Sequence, residues 1–228
     1  TDGGSNWKKT GLDHTEHISK VLIDPVNSDI IYVAAPGPLW GNSEHRGLYK
    51  STDKGKTWNK ILYTDVKTGC ADVIVDPKNP NVIYASMWEF RRTPWSFSSG
   101  GKGSALYKSM DAGKTWKKIQ NGFDGQELGR ICLAISPSET NKLYAIAESK
   151  NTALYASTDG GDNWTKKSAG MNVTWRPFYF SVIAVDPVDP KRIYRPSLNL
   201  SISSDGGESF KEASFEGGWV HSDHHAIW

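Results

Sequence analysis

Short apolar runs alternate along this chain with turn-forming polar clusters, and the runs are too brief for helices. Residues 18–23 lead into the turn signal Asp24-Pro25-Val26-Asn27, residues 30–34 resume an extended pattern, and residues 47–51 and 58–63 complete a set of four. The same order returns three times. The second set takes residues 72–75, 82–86, 105–109 and 116–119; the third takes 130–135, 143–147, 153–157 and 164–167; the fourth takes 180–185, 193–195, 200–203 and 210–212. No stretch has a convincing helical period.

Between the third and fourth run of each set stands a variant of Ser51-Thr52-Asp53-Lys54-Gly55-Lys56-Thr57-Trp58, with further copies centred on Asp2, Asp111, Asp159 and Asp205. Successive aspartates lie 51, 58, 48 and 46 residues apart, a period that belongs to repeat architectures. The hydroxyl and carboxylate suit a tight turn that they can cap, Gly supplies positive φ, and the closing aromatic packs beneath. Asp2, Asp53, Asp111, Asp159 and Asp205 are therefore expected to hold hairpins and not to act as catalytic acids.

Four antiparallel strands per repeat predict an all-β chain, a β-propeller with four-stranded blades at approximately 11–66, 67–122, 123–172 and 173–215. Residues 1–10 and 216–228 read as parts of flanking blades, so the expected object is an arc of a larger propeller, and the remaining blades of a longer chain are its expected partners.

Net charge is +2, which argues against a surface dedicated to nucleic acid. No run reaches the roughly 18 apolar residues of a membrane span. Cys70 and Cys132 start equivalent strands in adjacent repeats, too far apart for a disulfide, and are expected to be free and structural. No motif implies a cofactor.

The octet turns occupy one face of such a fold, so ligand chemistry is expected on the other. That face carries the blade-entry segments, which hold His14, Glu16 and His17, then Arg130, then Arg176 and Tyr179, then His221, Asp223, His224 and His225. It also carries the connection from the second to the third strand, which in the second repeat is an insertion containing Trp88, Arg92 and Trp95. The aromatics suit stacking on sugars or peptide side chains and the arginines suit carboxylates. Those residues form the expected ligand-binding set for a carbohydrate or peptide. Glu16 and Asp223 are the candidate carboxylates for the alternative, a glycoside hydrolase. His221, Asp223 and His225 have the donor types for a divalent ion but lack a metal-binding spacing. No metal is therefore the first expectation; a polar ligand-binding cluster and hydrogen bonding between blades are the competing readings, with a metal site at these three residues the weaker alternative. Lys20 and Asp72, level with each other in adjacent repeats, predict a structural ion pair.

The octet resembles the Asp-box, or bacterial neuraminidase repeat. Leu39-Trp40-Gly41, the run from Trp88 to Phe97, Arg176-Pro177-Phe178-Tyr179-Phe180-Ser181 and His221-Ser222-Asp223-His224-His225-Ala226-Ile227-Trp228 are similar to segments of large secreted bacterial repeat proteins, described as sortilin-like or glycoside-hydrolase-like. The resemblance implies a propeller and an extracytoplasmic location.

Overall fold

The computed structural model describes residues 2–123, 127–180, 182–213 and 222–227. Its strands form four antiparallel sheets, each a meander in chain order. The first contains β1 (Lys20–Ile23), β2 (Ile31–Ala35), β3 (Gly47–Ser51) and β4 (Asn59–Leu62). The second contains β5 (Thr68–Val75), β6 (Ile83–Thr93), the short β7 (Ser96–Ser99) paired with β6, β8 (Ala105–Ser109) and β9 (Lys117–Ile119). The third contains β10 (Ile131–Ile135), β11 (Leu143–Ala147), β12 (Ala153–Ser157) and β13 (Thr165–Lys166). After α1 (Met171–Thr174) the fourth contains β14 (Ala184–Val185), β15 (Ile193–Arg195), β16 (Ser201–Ser203) and β17 (Lys211–Glu212). The expected absence of helix is thus corrected by one turn: α1 is too short for any hydrophobic period to announce it.

Register makes the sheets four versions of one unit. Ile31 pairs with Ser51, Ile83 with Ser109, Leu143 with Ser157 and Ile193 with Ser203. Consecutive sheets pack face to face: Tyr32, Leu48, Val73, Ile83 and Met87 join the first to the second, and Cys132, Ile146, Leu154, Val173 and Ile193 join the third to the fourth. Because β5 is covered on both faces, its residues are buried throughout, as a strand between two neighbours must be. Both thiols are free and buried.

Each octet satisfies its own turn. Ser51 Oγ donates to Asp53 Oδ1 at 2.8 Å and accepts from the Gly55 amide at 2.8 Å, while the Thr57 amide and hydroxyl donate to the two Asp53 oxygens at 2.9 and 2.7 Å. Asp111, Asp159 and Asp205 repeat this pattern. Two octet tryptophans then tie their sheet to what precedes it, since Trp116 Nε1 donates to Ile61 O at 2.8 Å and Trp58 Nε1 to Thr10 O at 2.8 Å, whereas Trp164 Nε1 donates to Gly161 O within its own turn.

The Thr57 side chain, followed by its amide, holds the Asp53 carboxyl down at about 2, and Thr115 and Asn163 do the same for Asp111 and Asp159. A depressed folded-state pKa contributes stability that is present above the unfolded carboxylate value near 4 and is lost as pH falls through about 2. The urea midpoint should therefore be flat from pH 7 to about 5 and fall between about 4 and 2. Asp111→Asn should reduce that fall, as chemical denaturation at pH 7 and pH 2.5 would measure.

Candidate functional site

On the face opposite the octet turns, the segments entering the sheets meet the second-to-third strand connections. They enclose a groove of about 250 Å³. His17, Ile18 and Ser19 come from the entry to β1, and Pro36 and Leu39 from the β2–β3 connection. Trp88 and Arg92 come from β6, Phe97 from β7, Arg130 from the entry to β10, and Phe178 and Tyr179 from the entry to β14. All four sheets contribute. Among the described residues that line it there is no Asp or Glu.

One wall is set by an arginine outside the groove. Arg46 is fully buried; its Nε donates to Val66 O at 3.0 Å, Nη2 donates to Pro38 O at 2.6 Å and Gly41 O at 2.8 Å, and Nη1 donates to Pro36 O. Residues 36–41 therefore wrap a guanidinium whose face lies 5.0 Å from the Phe90 ring. Burial pulls Arg46 down to about 10, so it stays cationic at neutral pH. The wrapped loop presents Leu39, whose carbonyl accepts the Arg92 amide at 3.0 Å.

The opposite wall is a chain of polar contacts behind aromatic rings. Trp88 stacks on Phe90 with centroids 4.1 Å apart and donates through Nε1 to Ser99 Oγ at 2.9 Å. Ser99 Oγ donates to Glu148 Oε2 at 2.5 Å, and the same oxygen accepts the Arg130 amide at 2.8 Å. The Arg130 guanidinium lies 5.2 Å from the Trp88 ring and donates to Phe178 O at 2.8 Å, and burial lowers its pKa. Gly69, level with Trp88 across the β5–β6 ladder, completes the packing; a Cβ there would stand 2.1 Å from Pro36 O. Only glycine lets β5 pass so close beneath the loop.

Five of the residues expected from sequence, His17, Trp88, Arg92, Arg130 and Tyr179, thus share one groove. Arg176 stands over the Tyr179 ring at 5.4 Å. His225 packs edge-on to Tyr179 at 5.1 Å, stacks on Phe180 at 5.3 Å, and contacts Asp223 Oδ1 at 3.1 Å, which puts Asp223 beside the groove and outside its lining. The amides of Asp223 and His224 donate to Leu198 O and Ser197 O.

Other expected residues lie apart. Trp95 is 85% exposed at the tip of the β6–β7 hairpin, because the insertion is a regular extension of β6 that carries the tip away from the groove. His14 packs at a tilt against His45 with ring centroids 5.0 Å apart, and Glu16 is exposed and outside the groove lining. His221 lies outside the described residues, and among the described residues no three His, Cys, Asp or Glu side chains gather as metal ligands. Sequence reasoning missed Arg46, Phe90, Ser99 and Glu148. The available signal was Arg46 itself, which precedes its third strand where the next two repeats carry Ser104 and Thr152.

Four-stranded antiparallel sheets, packed face to face with loops gathered at one end, define a β-propeller. The chain belongs to the Sortilin-Vps10 family: the model described as sortilin, neurotensin receptor 3, matches residues 104–217, half of its length. It is also 28% identical over 148 residues to the xyloglucanase Xgh74A of Acetivibrio thermocellus, a match covering 52% of this chain and 15% of that protein. A probable oligoxyloglucan-reducing end-specific xyloglucanase of Neosartorya fischeri is 32% identical over 88 residues, covering 37% of this chain and 9% of that protein. Among solved structures, the GH74 xyloglucanase of Xanthomonas campestris superposes with a TM-score of 0.61 at 19% identity, over 84% of this chain and 28% of its own. This chain therefore matches only a small part of each of these proteins, and the superposition speaks for the fold alone. Among the described residues no helix is long and apolar enough to cross a membrane.

Proposed function

We propose that the groove is a carbohydrate-binding site of an extracytoplasmic propeller. The observation that carries this reading is that residues from all four sheets meet in one groove of aromatic and cationic side chains that no Asp or Glu lines among the described residues. Rings from Phe97, Phe178 and Tyr179 suit the apolar faces of sugars, and Arg92, Arg130 and His17 suit their hydroxyls. The names of the xyloglucanase relatives support a glycan over a peptide. A second reading, hydrolysis, rests on the position of Asp223, which reaches Tyr179 through His225, with Glu16 as the other carboxylate.

A glycan array followed by calorimetry with xyloglucan oligosaccharides tests the first reading. Tyr179→Ala should weaken affinity about fivefold, since a stacked ring contributes on the order of 1 kcal/mol, while Trp95→Ala should leave it unchanged. Retention of no glycan by the intact chain sinks the proposal, and retention of peptides in its place transfers the groove to a peptide ligand. Release of reducing sugar that collapses in Asp223→Asn would establish hydrolysis.

A further inference from the structure

The groove is rich in hydrogen-bond donors and poor in acceptors. His17, Arg92 and Arg130 line it, and among the described residues no carboxylate lines it with them. Carbonyls of its walls are already engaged: Pro36 O accepts Arg46 Nη1, Leu39 O accepts the Arg92 amide at 3.0 Å, and Phe178 O accepts Arg130 Nη1 at 2.8 Å. The Ser19 hydroxyl is turned inward, 3.3 Å from both Ala34 O and Cys70 O.

The two arginines also lack a counter-charge. Among the described residues no ion pair includes Arg92 or Arg130. Asp72 and Glu148 are close enough to act on the Arg130 charge, but both are engaged elsewhere. Asp72 accepts from Lys20 Nζ and from the Val73 and Leu133 amides, and Glu148 Oε2 accepts from Ser99 Oγ and from the Arg130 amide. Asp223, beside the groove, meets His225. Arg130 is half-buried over the Trp88 ring at 5.2 Å, and Arg92 is exposed at the rim over the Phe97 ring at 5.8 Å. Rings under a guanidinium leave its N–H edge for a planar acceptor. In Arg130 that edge is Nε and Nη2, which have no acceptor among the described residues and remain open to solvent. A sugar hydroxyl is both donor and acceptor, so a groove of donors satisfies only half of it; an ionised carboxylate only accepts, matches the fork bidentately and brings the missing charge.

We infer that the groove selects a uronate-bearing glycan, its carboxylate against the free edge of Arg130 with Arg92 and His17 on the rim, an assignment that rests on the groove being a carbohydrate site. Calorimetry of the 228-residue chain at pH 7 tests it with trisaccharides of galacturonate, glucuronate and mannuronate, each beside its carboxyl-reduced counterpart, and with a sulfated galactose trisaccharide as the specificity arm. At least one uronate should bind at least about tenfold more tightly than its reduced counterpart, and the ratio should fall as ionic strength rises. Arg130→Gln should bring the ratio close to one and Arg92→Gln should narrow it; Arg92 is exposed, so its variant tests the charge even where Arg130→Gln disturbs the packing over Trp88. Equal affinity within every pair, or retention of neutral glycans alone, overturns the inference and leaves the groove a carbohydrate site. Binding of no glycan, charged or neutral, overturns both. Sulfate bound as tightly as the best uronate, or a uronate preference that persists in both variants, overturns the assignment of the carboxylate to these arginines.

Discussion

Arg46→Met should lower the unfolding free energy by about 3–5 kcal/mol, because several buried carbonyls lose the charged donor that satisfies them. The side chain is fully buried, and its loss strands the carbonyls of Pro36, Pro38 and Gly41, three acceptors that no other described donor reaches, while Val66 O keeps the Ser43 amide at 2.9 Å. Each stranded carbonyl costs about 1–3 kcal/mol if it stays buried, so residues 36–41 should open to water and recover part of that cost. Opening removes Pro36 and Leu39 from the groove. Arg46→Lys should recover little, because one ammonium cannot reach acceptors spread around a planar fork. Urea denaturation measures the first effect. The second is read by amide shifts confined to residues 36–41 and β6 while the octet turns stay fixed; a loss below about 1 kcal/mol would show that the loop holds itself.

Sheet number, strand order and the role of the octet aspartates were legible because they depend on a repeated local pattern. A turn whose Ser, Asp and Gly satisfy one another within four or five residues reads the same in sequence and in space. The groove was legible in part. Counting back from the Asp-Pro turns puts His17 and Tyr179 at equivalent levels on the entry segments, with Arg130 one place beyond its own, and all three do meet. Length marked the insertion that supplies Trp88 and Arg92. Trp95 was misplaced for a physical reason: the insertion is expected from sequence to offer its aromatics to a ligand on that face, yet residues 90–93 and 96–99 pair in register and extend the β6 direction. An extended hairpin carries its tip outward. Glu148 had no local signature and Arg46 only its departure from the residues at the same place in the next two repeats, since a guanidinium that gathers carbonyls from residues 36 to 66 belongs to no element of its own.

The sheets also need ties across their faces, and the strongest passes through one carboxylate. Asp72, nearly buried on β5, accepts from Lys20 Nζ of the first sheet at 2.7 Å, from its neighbour Val73 N at 2.8 Å, and from Leu133 N of the third sheet at 2.8 Å. The ion pair expected from sequence is therefore half of a three-sheet junction. The amide half should matter more. Lys20 is partly exposed, so its charge can return to water and Lys20→Met should cost at most about 1 kcal/mol. Asp72→Ala instead leaves the Leu133 and Val73 amides without an acceptor between packed sheets and should cost about 3 kcal/mol. Asp72→Asn should lose most of the same amount, because one of its two positions becomes an N–H facing either a cation or another N–H. Denaturation of the three single variants, with the Lys20→Met/Asp72→Ala double variant closing the cycle, measures the division. A coupling energy equal to the whole Asp72→Ala cost would make the ion pair the tie and overturn the ranking; a small coupling energy leaves the amide of the third sheet as the contact that fixes the spacing of the first three sheets, and with it the positions of His17, Trp88 and Arg130 across the groove.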